Sequence, residues 1–507
     1  MPYITKLEKA GIPTVIVDLE DQHQMVKQTA LRYGVPEVRY IAASRTLRGE
    51  ADCDQFIEPM LEMLTKPLTE KEKTSDMWVP TRLDRIIFEG TMDEAEEFFH
   101  QTEYVPHPVN APIAKFTDGL PVRIPTEERV ADMLKGTSHK PDELIVHQQD
   151  PMRGARRNPF QFQREERRPP RSTSPEAAAM AGMRRKQGAP VEFQPMGWTA
   201  TVEKVAACAV MAGCKSEYLP AVLAIAESGT FIGSTHTFGH WLCVSGPFAK
   251  EVGMSSGCGM LGPGNVANST IGRAYEIMAR NLGGAIPGIN RMTSIGSPFE
   301  GSRCCAENAD GLPPGWEGIN EEYGFAKNES VVMVIPHVND GIRGVQFSPG
   351  GYRAFQKSGH GGIARKLGVK GKPGPHNWLE YLVDEFWAGR EGAKTIIMVP
   401  EMAKHLYEYG FKTKDDVYEW LYKKSFVPLG RYRHFSWPDL GTNGWLGIEP
   451  ISGKPWKELP DDYMVPAAES PYAFCIVVGG GDEELSHQLS SPHHLGIDPI
   501  YSIDAWR

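Results

Sequence analysis

TIIMVPEMAKHLYEYG, running from Thr395 to Gly410, decides the fold class. Its first part, TIIMVP, is an apolar run of strand length. Its second, PEMAKHLYEY, reads as a helix that stops at Gly410, a residue suited to the position just past a helix end. Thr413 can then cap a second helix over DDVYEWLYKK. A strand running directly into helices is the repeating unit of an α/β protein. Working outward, VVMVIP (Val331 to Pro336) and FCIVV (Phe474 to Val478) read as buried strands of the same kind, while Glu203 to Ala212 and Tyr218 to Ala226 read as helices packed through small apolar residues. Together these define a main α/β domain over residues 197–507, and no internal repeat of fixed period is present.

Ahead of that domain, GIPTVIV (Gly11 to Val17) and Val38 to Ala42 read as strands, and Asp21 to Tyr33 and Cys53 to Leu64 as helices. They predict a small three-layer α/β domain over residues 1–105, whose first strand follows only a bare ITKLEKA, so the unit looks truncated at its start. Residues 106–196 form the connection. In its ordered part Thr126 is an N-cap candidate, with Glu127 and Glu128 in the first turn and Val130, Met133 and Leu134 on one face. A long polar linker follows, and between Arg153 and Arg171 it carries seven Arg against two Glu. This Arg-rich arm reads as an extended strap, solvated or laid across a neighbouring subunit; a grip on an acidic partner or nucleic acid is the other reading.

Composition narrows the function classes. Over 507 residues, 41% hydrophobic, 23% charged and 9% aromatic content describe a globular chain rather than a fibre or a disordered one. Lys and Arg total 54 against 64 Asp and Glu, and the resulting net charge of −10 disfavours a dedicated nucleic-acid binder. Small molecules or protein subunits are the expected partners. No run reaches the roughly 18 apolar residues of a membrane span, and MPYITKLEKAGIP has no apolar signal core, so the cytoplasm is the expected location. The eight cysteines show no CxxC spacing and read mostly as buried thiols.

Three stretches can carry chemistry. LGPGNVANSTIGRAYEIMARNLGGA places Gly262, Pro263 and Gly264 in a loop before a helix that continues through Arg280. Asn268, Ser269 and Thr270 there supply caps and donors, so the helix mouth, with Asn265 also among its substrate-binding candidates, can hold a carboxylate or phosphate, although the ending of a nucleotide-triphosphate loop is absent. In IVVGGGDE, Gly479, Gly480 and Gly481 follow a strand and can line the same pocket, because ligands gather at the carboxyl ends of strands in open sheets. SRCCAENADG sets Cys304 and Cys305 beside Glu307 and Asn308. Cys305 is the candidate nucleophile with Arg303 as the local cation, Glu307 the proton shuttle and Asn308 the oxyanion donor; a buried, inert thiol is the alternative. HTFGH gives His236 and His240 at i, i+4, and SPHHLG adds His493 and His494, so zinc or iron is a candidate cofactor. The glycines around HTFGH read as loop, and histidines satisfied by backbone carbonyls are the other outcome.

GIPTVIV behind LEKA, Thr117 to Ile145, Gly197 to Ala226, GPGNVANSTIGRA and CAENADG together resemble the bacterial UGSC-like group. That group is named for a selenocysteine (or cysteine)-Gly-Ser-Cys motif and compared with the selenoprotein B component of glycine, sarcosine and betaine reductases. The resemblance covers most of the chain outside the Arg-rich stretch. It implies reductive or lytic cleavage of a carbon to heteroatom bond. On this likeness the named motif would lie ahead of the helix that this sequence enters near Tyr3, and it is absent here. The group's pattern near Cys305 resembles Cys-x-Ala-Glu-Asn-Glu followed by Ser-Pro-Trp, whereas here Ala306, Glu307 and Asn308 follow Cys305 directly and the tail reads ADGLPPGW.

Three functions follow as expectations. The first is an enzyme on a small polar or anionic substrate, with Cys305 and Glu307 at the reacting centre. The second is a metal-dependent hydrolase, hydratase or lyase built on the four histidines. The third is a subunit of a hetero-oligomer whose partner carries the missing motif and is gripped by the Arg-rich arm. A homo-oligomer is the expected assembly for the first two.

Overall fold

In a computed structural model of the chain, the described residues are 10–20, 37–44, 53–73, 83–105, 109–149, 186–230, 238–287, 304–339, 393–430, 452–465, 474–481, 486–491 and 500–507, with isolated positions between them. The Arg153 to Arg171 arm, Arg303, His236, His493 and His494 lie outside the described residues.

The fold is mixed α/β. Strands β1 (Ile16–Leu19) and β2 (Tyr40–Ala43) pair in parallel. Val26, Ala30, Val35 and Val38 make a small apolar cluster against them, and helix α1 (Ile57–Thr65) follows. Helix α2 (Met92–Phe99), opened by a Thr91–Glu94 capping box, precedes the hairpin of β3 (Thr102–Val105) and β4 (Ala111–Ala114). Helix α3 (Glu127–Leu134) starts as its sequence predicts, with the Thr126 side chain accepting the Arg129 N–H and Val130 and Met133 buried.

The rest is built on one mixed sheet. Helices α4 (Val202–Ala212) and α5 (Leu219–Ala226) lead into β5 (Phe238–Ser245); α6 (Val266–Asn281) precedes β6 (Cys304–Ala306); the single turn α7 (Ile319–Glu322) precedes β7 (Val331–Asn339). Then come β8 (Ala393–Met398), α8 (Pro400–Tyr409), α9 (Lys414–Lys424), the short pair β9 (Val427–Pro428) and β10 (Met464–Val465), β11 (Phe474–Val478), β12 (Ser486–Ser491) and β13 (Ile500–Ser502). The order across the sheet is β11-β8-β12-β7-β5-β6, with β13 also on β7.

Strand alternation sorts the side chains into three layers, because successive residues point to opposite faces. Leu242 and Val244 of β5 and Val332 and Val334 of β7 face a cluster shared with α4, α5 and α6. Ile396, Met398, Phe474, Ile476 and Val478 of β8 and β11 face a second cluster with α8 and α9. The alternate residues, Trp241, Cys243, Cys305, Met333, Ile397, Cys475 and Val477, meet in a central cluster between the two. The strands at the ends of the order also meet: Asn308 N–H, just past β6, donates to Val478 O at the end of β11 at 2.8 Å.

HTFGH departs from its loop reading, because Phe238 onward forms strand β5 in the middle of the sheet. Glycine content suggested a loop, yet pairing with β6 and β7 on either side overrides it. No helix among the described residues is long and apolar enough to cross a membrane.

At α9 the Thr413 side chain accepts the Asp416 N–H while Asp416 returns the bond to the Thr413 N–H. Thr413→Ala is expected to lower stability by about 1 kcal/mol in urea unfolding, the usual value of such a cap. An unchanged unfolding midpoint would contradict it.

Candidate functional site

Beyond the last residue of β6 the chain keeps its register, with Glu307 N–H donating to Val244 O at 2.8 Å. This carries the Glu307 side chain to the end of β5, where Ser245 Oγ–H donates to its Oε2 at 2.7 Å. The same oxygen accepts the Ile319 N–H at 2.8 Å, from the first residue of α7. Asn320 holds that turn in place by donating from Nδ2 to the carbonyls of Ala326, Lys327 and Glu329.

From the opposite side, Lys414 reaches in from the first residue of α9. Its Nζ lies 3.2 Å from Glu307 Oε1, 3.5 Å from Glu322 Oε2 and 3.0 Å from Ile476 O, with its side chain 1% exposed. Tyr418, one turn along α9, donates from its hydroxyl to Glu322 at 3.2 Å and accepts the Ile476 N–H at 2.9 Å. Burial opposes a charge on Lys414, but the adjacent carboxylates of Glu322 and Glu307 outweigh it and hold the ammonium above its ordinary range. The result is one ammonium and two carboxylates with almost no water contact, all supplied with hydrogen-bond partners.

Cys305 lies behind this network and is fully buried. It is the register partner of Cys243 on β5, and both pack into the central cluster with Trp241, Met260 and Ile319. Burial, then the hydrogen bond to Cys305, push the Cys243 thiol well up; burial does the same to Cys304, which faces the helical layer, and to Cys475. A nucleophilic thiol needs an approach path. The expected role of Cys305 as attacking group is therefore corrected to packing: it shares a face with Glu307 by strand alternation, but sequence spacing carried no information about the apolar side chains that enclose its sulfur.

Asn308 is turned to structural use as well, its side chain accepting the Gly311 N–H as the cap of a short 3₁₀ turn. The glycine triplet is covered rather than open. Gly480 N–H donates to Ser256 O at 2.9 Å, a Cβ on Gly479 would meet Met260, and one on Gly481 would lie 1.8 Å from Cys258 Sγ. Residues Ser256 to Met260 thus occupy the side of Gly479, Gly480 and Gly481 where a ligand was expected. The absence of side chains here serves a close approach of two loops.

At the helix mouth the Asn268 and Ser269 N–H groups are already taken by Asn265. Asn265, not a later residue, caps α6, its side chain accepting the Asn268 N–H at 3.0 Å. Asn268 is inside the helix and buried, bonding Ser255 through both side-chain atoms and Met260 O through Nδ2. Ser269 follows within the first turn, and Thr270 Oγ1 donates back to Val266 O. Gly262 N–H closes a turn on Gly259 O, and Gly264 takes φ 124° before the cap. Gly262, Gly264, Asn265 and Asn268 are therefore brought together with the loop that covers the glycine triplet.

The histidines divide. His240 is buried on β5 with its ring stacked on Tyr275 of α6 at 4.0 Å, in a strand rather than on a helix face. Among the described residues no group of three or more His, Cys, Asp or Glu is placed to hold a metal ion.

Sequence reasoning found Glu307 and missed Ser245, Glu322, Lys414 and Tyr418. One local signal existed. A cation in the first turn of a helix opposes the helix dipole, and Lys414 stands there directly after the cap Thr413. Compared with known proteins, the chain matches no family model, no curated protein and no solved structure.

Lys414→Met leaves Glu307 and Glu322 buried without their cation. It is expected to cost about 3–5 kcal/mol in guanidinium unfolding at neutral pH, the range for breaking a buried ion pair from one side. A loss below about 1 kcal/mol would assign the network to a solvated environment.

Proposed function

We propose that the chain is an enzyme acting on a small polar or anionic molecule at the sheet end where Ser245, Glu307 and Lys414 converge, and that it breaks a carbon to heteroatom bond by lysis. The observation that carries this reading is Lys414 held between Glu307 and Glu322 at 1–2% side-chain exposure. Buried ion pairs add little net stability over apolar side chains of the same volume, which favours a chemical use for this one. Once substrate displaces the turn α7 that now covers it, the Glu307 carboxyl is suited to take a proton from carbon, and the fixed ammonium to stabilise the negative charge that then develops. Ser245 and the Ile319 N–H fix the orientation of the carboxyl. The likeness to the UGSC-like group supports the bond type; the reductive branch and the thiol are dropped because Cys305 packs among apolar side chains, outside the polar network of Glu307 and Lys414. A small-molecule substrate, a cytoplasmic location and a homo-oligomer, or a hetero-oligomer with a motif-bearing subunit, belong to the same proposal.

The test is a panel of short carboxylates bearing hydroxyl, amino or thiol groups β to the carboxylate, followed by release of water, ammonia or hydrogen sulfide. Turnover by the unmodified chain is expected to fall about 100-fold or more in Glu307→Gln and to stay nearly unchanged in Cys305→Ser, with circular dichroism checking the fold of each. Loss of turnover in Cys305→Ser alone, or none with any compound, would overturn the proposal.

A further inference from the structure

The buried network holds more negative charge than positive. One ammonium, on Lys414, faces two carboxylates, on Glu307 and Glu322, and all three side chains are 1–2% exposed. A further anion added there would be buried with no cation left to meet it, which is strongly unfavourable. An anionic substrate therefore enters by exchange and not by addition: one of the two carboxylates has to leave as it arrives.

The two are held differently. Glu307 is fixed to the sheet by its own N–H on Val244 O, and its carboxyl accepts from Ser245, the Ile319 N–H and Lys414. Glu322 rides on the single turn α7. Its Oε2 meets Lys414 Nζ at 3.5 Å, and the Tyr418 hydroxyl donates to Oε1 at 3.2 Å and to Oε2 at 3.4 Å. The two donors thus converge on one carboxylate, from successive turns of α9.

The segment that carries Glu322 is built to keep its shape apart from the sheet. Gly318 N–H donates to the Glu321 carboxylate, Glu322 N–H to Gly318 O and Gly324 N–H to Glu321 O, while Asn320 Nδ2 bonds the carbonyls of Ala326, Lys327 and Glu329. Gly315 and Gly324, at φ 83° and 82°, bracket the turn. The same turn lays the Ile319 N–H on Glu307 and Glu322 on Lys414, so one movement uncovers the base and the cation together. Beyond its Cα the Glu322 side chain is a propanoate chain, the skeleton of the short carboxylates proposed as substrates.

We infer that Glu322 is an internal stand-in for the substrate: its carboxylate occupies, on Lys414 and Tyr418, the place taken by the carboxylate of a short acid, and α7 withdraws it when that acid binds. The inference rests on the proposed site, and it adds the substrate's anchoring group, Tyr418 as the second donor to it, and a competitor built into the chain. Exchanging one carboxylate for another keeps the charge around Lys414 unchanged, and the displaced Glu322 regains water.

Propionate tests this on the full chain, since it carries the carboxylate and has no group to eliminate; propionamide is the uncharged control. Binding is read by calorimetry and the state of the turn by hydrogen exchange over residues 318–324. Propionate, and not propionamide, is expected to bind and to raise exchange there. A withdrawn turn populated at about 10% or less weakens apparent affinity about tenfold or more. Glu322→Gln, its fold checked by circular dichroism, is therefore expected to bind propionate tighter by at least about that factor. The exchange measurement on the unmodified chain decides the matter whether or not the variant folds. No binding of propionate, binding that leaves exchange over residues 318–324 unaltered, or equal affinity in a folded Glu322→Gln would overturn the stand-in. Propionate that opens the turn in a chain with no turnover of any compound in the panel would sink the lyase reading and leave the exchange standing.

Discussion

The ammonium of Lys414 has almost no contact with water, and three separate parts of the chain close around it. Glu307 comes from the end of β6, Glu322 from the turn α7, and Ile476 O from β11. Strands β6 and β11 stand at opposite ends of the sheet order, and the cation reinforces the meeting of these ends that the Asn308 N–H to Val478 O bond also makes. Removing an ion from water costs several kcal/mol, and only paired charge with full hydrogen bonding offsets that. The packing of Tyr418 on Glu322 and on the Ile476 N–H supplies the remaining bonds.

This constraint orders the chemistry around it. With β6 held against β5, strand alternation turns Cys305 inward to Cys243 and lets Glu307, two residues on, reach the polar network. Thiol and carboxyl, neighbours in sequence, end in environments of opposite kind. The Ser256 to Met260 loop, anchored by Asn268, closes over the glycine turn after β11 and packs Met260 into the same central cluster as Cys305. What reads as an open anion cradle is thus a pair of interlocked loops.

Much of the fold was readable because its period is local. The run from Thr395 to Gly410, the caps Thr126 and Thr413, and the strand FCIVV became elements close to their expected limits. Strand β5 was not, since Gly239 and the flanking glycines signal a turn while the ladder that makes it a strand is supplied by residues far along the chain. The site was half readable for the same reason. Glu307 announced itself beside cysteine and asparagine, whereas Ser245, Glu322 and Lys414 acquire meaning only when β5, α7 and α9 converge. Lys414 alone broke a local rule, at the wrong end of a helix for its charge.

A double-mutant cycle on Lys414→Met and Glu307→Gln, read by chemical unfolding, addresses the central interaction directly. The account predicts that the two changes together cost less than their separate effects summed, with a coupling of at least about 1 kcal/mol. Additivity within about 0.5 kcal/mol would mean that the two groups do not sense each other, and the account's central ion pair would fall.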